Sequence, residues 1–209
     1  MWTAAILAGG QARRLGGRDK SALLVGADSI LERQLAVIRT VTPHILIIGS
    51  ATTAQQFATA PGDKARRDVH IVEDRIAGAG ALGGLYTALV EAPTEQVLVI
   101  ACDMPFISAP FLTALAGFGA GVDAAVPRDG HGLHPLCASY QRRIAARVKT
   151  RIDAGELRIT DALNDLEVRD VGCDELAPFD PDGRLLLNVN TPADYERARV
   201  AANNEPPSA

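Results

Sequence analysis

The chain has little of what staples or metal-clamps a small domain. Its three cysteines, Cys102, Cys137 and Cys173, are an odd number, widely spaced and without a C-x-x-C pair, which excludes a disulfide framework and a zinc ribbon. The four histidines, His44, His70, His131 and His134, show no H-E-x-x-H spacing, so a histidine-bound transition metal has no support. No apolar run approaches the roughly 18 residues needed to cross a bilayer, so no membrane span is expected. Cations are not in excess either: 21 Lys and Arg against 25 Asp and Glu leave a net charge of −4. That balance argues against a nucleic-acid partner, whose phosphates demand a broad basic face. The amino terminus, Met1-Trp2-Thr3-Ala4-Ala5, has no basic stretch ahead of its apolar residues. It does not read as a signal peptide, and the cytoplasm is the expected compartment.

What the chain does have is 209 residues, enough for one sizeable core, and ordinary proportions of hydrophobic (47%) and charged (22%) residues. One domain, residues 1–209, is expected. Its most informative stretch begins where the apolar run Thr3–Leu7 stops: Leu7-Ala8-Gly9-Gly10-Gln11-Ala12-Arg13-Arg14-Leu15-Gly16-Gly17-Arg18-Asp19-Lys20. Glycines let the main chain turn with positive φ and bring its N–H groups close to a ligand, while Arg13, Arg14, Arg18 and Lys20 supply local positive charge. That combination suits a polyphosphate. Two familiar phosphate loops are excluded by spacing. The dinucleotide fingerprint G-x-G-x-x-G fails because Gly9 and Gly10 are adjacent, and a Walker A loop fails because Arg18 and Asp19 separate Gly17 from Lys20. A solvated surface loop is the alternative for this stretch.

Continuous apolar runs recur at 3–7, 45–48, 69–72, 97–101 and 124–126, as expected of strands covered on both faces. Between them lie helical patterns at 30–41, with Ser29-x-x-Glu32 as a capping box, and at 82–91 and 108–116. Strand and helix alternate, which predicts an α/β, Rossmann-like, three-layer fold: a mainly parallel central sheet with helices on both faces. Ligands of such a sheet bind beyond the carboxyl ends of its strands. After residue 126 the pattern loosens. Strands are expected at 133–139, 167–171 and 185–189, helices at 140–154 and 158–164, and mixed pairing in the sheet. A last helix starts at Thr191-Pro192, with Asp194 in its first turn, and residues 203–209 are expected to be a flexible tail.

Three further segments carry candidate chemistry. In Val97-Leu98-Val99-Ile100-Ala101-Cys102-Asp103-Met104-Pro105 a buried-type strand ends in a carboxylate, placing Asp103 at the sheet's carboxyl edge together with the glycine turn. From there Asp103 can face the same phosphates and hold Mg²⁺ among them, or it is a plain turn aspartate. Cys102 reads as a small core residue. In Glu73-Asp74-Arg75-Ile76-Ala77-Gly78-Ala79-Gly80-Ala81-Leu82-Gly83-Gly84, glycines again follow a strand and leave room for a base or ribose read by the main chain and Asp74; simple helix-entry glycines are the alternative. In Leu187-Asn188-Val189-Asn190-Thr191-Pro192 the two asparagines stand two apart, so on a strand they share a face and reach one ligand, although Asn190 also suits a turn.

Taken together, these segments resemble the molybdenum cofactor guanylyltransferases, of the GT-A-like nucleotidyltransferase superfamily, over nearly the whole chain. The sharpest part is Leu-Ala-Gly-Gly-x-x-x-Arg-x-Gly-Gly-x-Asp-Lys; in the cytidylyltransferases that modify the same pterin, the start usually reads Leu-Ala-Ala-Gly where this chain has Gly9. The resemblance implies transfer of GMP from Mg²⁺-bound GTP to molybdopterin or Mo-molybdopterin, with release of pyrophosphate. It implies that Leu7, Ala8, Gly9 and Gly10 contact the nucleotide, Lys20 the phosphates, Asp74 the nucleoside, and Asp103 both GTP and Mg²⁺. Arg14, Asn188 and Asn190 match positions that face the phosphates or the pterin. The half 1–126 then mainly binds nucleotide and 127–202 the acceptor, with the 128–135 segment and Arg158 bordering the pterin; Arg158 reads equally as a solvated charge at a helix start. Proteins of molybdopterin synthesis or molybdoenzyme maturation are the implied partners. Where relatives often have an asparagine after the second strand, this chain reads Ile47-Ile48-Gly49-Ser50, and the proline common before Leu-Ala-Gly is missing at Gly80-Ala81-Leu82-Gly83. The alternatives are a CTP-dependent or other nucleotidyltransferase and a noncatalytic nucleotide-binding module.

Overall fold

In the computed structural model, residues 1–8, 22–50 and 68–204 are described. The elements run β1 (Thr3–Leu7), a small hairpin of β2 (Leu24–Val25) and β3 (Asp28–Ser29), α1 (Ile30–Ile38), β4 (Ile45–Gly49), β5 (Val69–Glu73), α2 (Gly80–Glu91), β6 (Gln96–Ala101) and α3 (Ala109–Phe118). They continue with β7 (Ala124–Asp129), β8 (Gly132–Leu133), β9 (Cys137–Gln141), α4 (Ala145–Asp153), α5 (Ile159–Ala162), β10 (Val168–Val171), α6 (Cys173–Leu176) and α7 (Pro192–Asn203). The strands other than the hairpin pair form one sheet in the order β10-β7-β9-β6-β1-β4-β5, with β8 on β7. β1 pairs in parallel with both β4 and β6, and β4 with β5. β9 is antiparallel to both β6 and β7, so the sheet is parallel in its first half and mixed in its second, as the sequence predicts.

The apolar runs of β1, β4 and β6 are continuous because both faces of these strands are covered, whereas β5, at the sheet edge, is only partly buried. Ala4 and Ile6 of β1 point into one cluster, with Leu31, Leu35 and Ile38 of α1 and Phe111, Leu112 and Leu115 of α3. Ala5 and Leu7 point the other way, to Leu82, Leu85 and Leu89 of α2 and Val148 and Ile152 of α4. A third cluster joins Leu23, Val25 and Ile30 to Phe106, Val189 and Ala198, which seats α7 against the hairpin and the segment after β6. α1 starts as expected, with Ser29 and Glu32 forming a reciprocal capping box, and α3 starts at the Ser108 cap.

Three expectations are corrected. The strand expected over 133–139 is two strands, β8 and β9, separated by a turn at Pro135–Leu136. Tyr140, expected in a helix, lies in β9, fully buried, where its hydroxyl donates to the Pro135 carbonyl at 2.7 Å. The strand expected over 185–189 does not form. Its amides are engaged elsewhere: Asp180 Oδ1 accepts from the N–H groups of Arg184 (2.7 Å) and Leu185 (2.9 Å), Leu187 N–H donates to Arg184, and Val189 N–H donates to the Asp103 carbonyl at 2.9 Å. A backbone whose donors are already satisfied in turns has none left for a sheet neighbour. Of the expected tail, Asn203 is the last residue of α7, and residues 205–209 lie outside the described part.

At the amino edge of the sheet, Asp123 ties three elements together. Its carboxylate accepts from Arg143 Nε (2.8 Å) and Arg147 Nη1 (2.7 Å), and from the Glu167 amide (3.2 Å). Burial pushes this carboxyl up, but the bonds from Arg143, Glu167 and Arg147 outweigh it and hold its pKa below the ordinary value. A depressed carboxylate stabilises the fold above its unfolded pKa of about 3.9, and the contribution fades as pH falls through the lower folded value. Asp123→Asn is therefore expected to cost about 1–3 kcal/mol at neutral pH. In urea melts the deficit should shrink below about pH 4; an unchanged deficit would place it elsewhere.

Candidate active site

β1 and β6 are in register, with Leu7 opposite Ala101. The next amide of each strand reaches a neighbour: Ala8 N–H donates to Ile48 at 2.7 Å and Cys102 N–H to Leu7 at 3.2 Å. Ala8 therefore leaves the sheet at the same edge where Asp103 follows Cys102. This is also where the strand order β5-β4-β1-β6 reverses direction of growth, the place where open α/β sheets form their ligand crevice. A cavity of about 230 Å³ lies there, its wall including Leu7, Asp74, Gly80, Gly84, Asp103 and Asn190. A larger cleft of about 400 Å³, between Arg33, Phe106, Phe179 and Arg184, sits beyond the segment after Asp103 and is lined by neither Asp74 nor Asp103. The smaller cavity is the one with the chemistry.

Asp103 is only 9% exposed. Asp74 follows β5, its N–H donating to Gly49 at 3.0 Å; its Oδ1 is buried and meets no hydrogen-bond donor among the described residues. Burial, and to a lesser extent the charge of Glu73, pushes the Asp74 pKa above the ordinary carboxylate value. α2 opens onto the same cavity through Gly80 and Ala81, with Ala79 at its cap position and no side chain satisfying its first amides. An uncapped helix start of this kind presents N–H donors and the positive end of the helix dipole. Gly78 (φ +82°) and Gly80 (φ +58°) supply backbone that L side chains rarely adopt. Gly83 and Gly84 work differently. A Cβ on Gly83 would lie 2.8 Å from Ala79 Cβ, and one on Gly84 3.2 Å from a Leu7 methyl. These two glycines let α2 pack on itself and on β1, so the room expected at Gly83 for a base is filled by protein.

Among the remaining sequence candidates, Leu7 lines the cavity and Ala8 is buried beside it. Gly9, Gly10, Arg14 and Lys20 lie outside the described residues. Asn190 borders the cavity, whereas Asn188 is off its wall and donates through Nδ2 to the Leu186 carbonyl at 3.0 Å. The shared strand face expected of the pair does not exist. Arg158 caps α5 with an exposed side chain, away from the cavity wall. Cys102 packs in the core. His134 is held in a loop, its N–H on Pro127 (2.8 Å) and its Nε2 3.0 Å from Asp129 Oδ1. Leu136, unnoticed in the sequence, also lines the cavity, and its carbonyl accepts from Ala101 N–H at 2.7 Å. Its only sequence signal is the proline before it, which marks the turn.

Sheet, switch-point cavity and paired carboxylates define a nucleotidyltransferase. The model of the MobA-like NTP transferase domain matches residues 4–167. A protein of Pelotomaculum thermopropionicum named "Probable molybdenum cofactor guanylyltransferase" is 33% identical over 202 residues, 97% of this chain and 94% of that protein. The molybdenum cofactor guanylyltransferase of Desulfosudis oleivorans is 30% identical over 95% of each chain. The crystal structure of molybdopterin-guanine dinucleotide biosynthesis protein A from Archaeoglobus fulgidus superposes with a TM-score of 0.83 at 26% identity, covering 98% of this chain and 100% of that one. The chain belongs to the MobA-like NTP transferase family, among the molybdenum cofactor guanylyltransferases.

Because Gly80 holds φ at +58°, Gly80→Ala is expected to destabilise by about 1 kcal/mol. Denaturant melts read this directly; an unchanged midpoint would mean that the turn relaxes freely.

Proposed function

We propose that this chain transfers GMP from GTP to molybdopterin or its molybdenum complex, and that the switch-point cavity holds the nucleotide. The observation that carries the reading is the meeting of Asp74, Asp103 and the uncapped start of α2 at the edge where the glycine turn departs. Guanine presents N1–H and N2–H donors on one edge, and a desolvated carboxylate such as Asp74 is their natural acceptor. Cytosine offers an acceptor at N3 in the same place, so an ionised Asp74 disfavours CTP. Leu7, Ala8, Gly9 and Gly10 surround the nucleotide, Lys20 and Arg14 offset the negative charge of its phosphates, and Asn188, Asn190 and Arg158 face the acceptor.

The donor set fits Mg²⁺. Among the described residues no cluster of three or more His, Cys, Asp or Glu side chains forms a closed metal cage. A single carboxylate, Asp103, completed by substrate phosphates and water, matches the way this ion is usually held. When bound, it neutralises charge on the triphosphate and the departing pyrophosphate. The residues do the rest by positioning. A phosphate monoester has its second pKa near 6 and is already largely dianionic at neutral pH, so no strong general base is required. Its oxygen forms the new bond to the α-phosphorus as the bond to the bridging oxygen of pyrophosphate breaks, and Lys20 and Arg14 stabilise the charge that leaves. No helix among the described residues is long and apolar enough to cross a membrane. The reading places the work in the cytoplasm, beside the proteins that make molybdopterin and load molybdoenzymes.

The test is incubation with Mg²⁺, either form of the pterin and each nucleotide in turn, with products identified by mass. Pyrophosphate and the guanine dinucleotide are expected with GTP; equal or better use of CTP overturns the base assignment, and no product from any nucleotide overturns the reaction. Asp103→Ala is expected to stay folded and lose about 10²–10³ in turnover. Near-normal transfer by the folded variant would remove the metal role.

Because burial raises the Asp74 pKa, the KM for GTP should climb on acidification at a pH above the ordinary carboxylate value of about 3.9. Asp74→Asn is expected to raise that KM at neutral pH and to abolish its acid limb. A variant that keeps the same limb assigns it to another group.

A further inference from the structure

On α1 the positions Ile30, Gln34 and Ile38 form one stripe at i, i+4 and i+8, and all three are fully buried. Two are isoleucine, as the core requires; the third is an amide. Gln34 Nε2 donates to the Ala101 carbonyl at 2.8 Å and to the Met104 carbonyl at 3.0 Å. These two carbonyls bracket Cys102 and Asp103. The orientation of the amide is dictated by its surroundings, since reversing it would set Oε1 against both carbonyl oxygens. As it stands, Oε1 is buried and finds no donor among the described residues. A buried, unmet acceptor is destabilising, a penalty that leucine or methionine in the same stripe would avoid. What the amide supplies and they cannot is a pair of N–H donors at one place, the turn that carries Asp103.

The rest of that turn is tied peptide by peptide to different elements. Cys102 N–H reaches Leu7 of β1, the Asp103 carbonyl accepts from Val189 ahead of α7, and Pro105 accepts from Arg33 Nε at 3.2 Å. Gln34 bridges the two sides of this set with one planar group. Mg²⁺ demands near-ideal octahedral geometry with short bonds, so a carboxylate on a loosened turn binds it poorly even when its own chemistry is intact.

We propose that Gln34 is a positioning residue for the metal carboxylate, fixing the backbone on both sides of Asp103 so that its side chain meets the metal–nucleotide complex in one orientation. This rests on the reading of Asp103 as the metal ligand. Groups that orient a metal ligand from behind it are typically worth about 10–100-fold in metal affinity or activity. The test separates metal coupling from stability. In Gln34→Met, which fills the same volume without donors, calorimetry without acceptor compares the Kd for GTP in Mg²⁺ with that in EDTA. The expected result is an unchanged metal-free Kd, a fall of about 10–100-fold in the gain that Mg²⁺ confers, and a matching rise in the half-saturating Mg²⁺ for turnover. Gln34→Leu, also without donors, serves if the methionine variant does not fold and should lose the gain likewise. Ile38→Val, a neighbour in the same stripe, should lower thermal stability and leave the Mg²⁺ gain untouched.

Asp103→Ala in the same calorimetry decides which claim fails. If it abolishes the Mg²⁺ gain while folded Gln34 variants keep the wild-type value, Gln34 is a core residue only and this inference is overturned. If Asp103→Ala itself keeps the gain, the metal reading beneath it is overturned instead.

Discussion

The parallel pairing of β1 with β6 is the constraint from which the site follows. Leu7 faces Ala101, so the two strands leave the sheet together, β1 at Ala8 and β6 toward Asp103. A one-residue slip would reverse which face every side chain of β1 addresses, putting Ala4 and Ile6 where Ala5 and Leu7 now meet α2. Register is thus held by the packing of both faces, and the common exit of β1 and β6 from the sheet is a by-product of that packing. Chemistry at this edge needs no separate scaffold.

The cavity wall divides into parts that are rigid for different reasons. α2 approaches β1 closely because Gly84 has no side chain to keep Leu7 away, which brings the helix start to the pocket. Asp74 is placed by its own N–H on Gly49, at the end of β4. Asp103 is placed by its backbone, through contacts with α1, β1 and the segment before α7. Both carboxylates are therefore fixed from behind, through their backbones. Val189 carries this further: the stretch between Asn188 and Asn190 touches the Asp103 carbonyl itself, so the candidate acceptor side and the candidate metal side share one hydrogen bond.

How legible this was depends on whether the signal is local. β1, β4, β6 and β7 stand out in the sequence because strands covered on both faces are apolar runs, and Asp74 and Asp103 stand out because a carboxylate follows a strand. The stretch 185–189 has the same apolar composition but is not a strand, because Asp180 and the distant Asp103 carbonyl engage its amides. Tyr140 misleads for a similar reason: its hydroxyl is satisfied by Pro135 inside the core, which no periodicity reveals. Gln34 is the opposite case. A polar residue on a helix reads as solvent-facing, and only its spacing from Ile30 and Ile38 hints otherwise.

The antiparallel β9 has a further consequence, for the time when the chain is being made. β6 is almost entirely apolar along Val97–Ala101, and β9 is its hydrogen-bonding neighbour on the side away from β1. Until residues 137–141 have left the ribosome, that side of β6 has no neighbour, and a nascent chain carries an open, sticky ribbon edge for some forty residues of synthesis. Any fragment ending before β9 inherits the same exposed edge permanently. β9 is thus a cover for the edge that β6 would otherwise leave open.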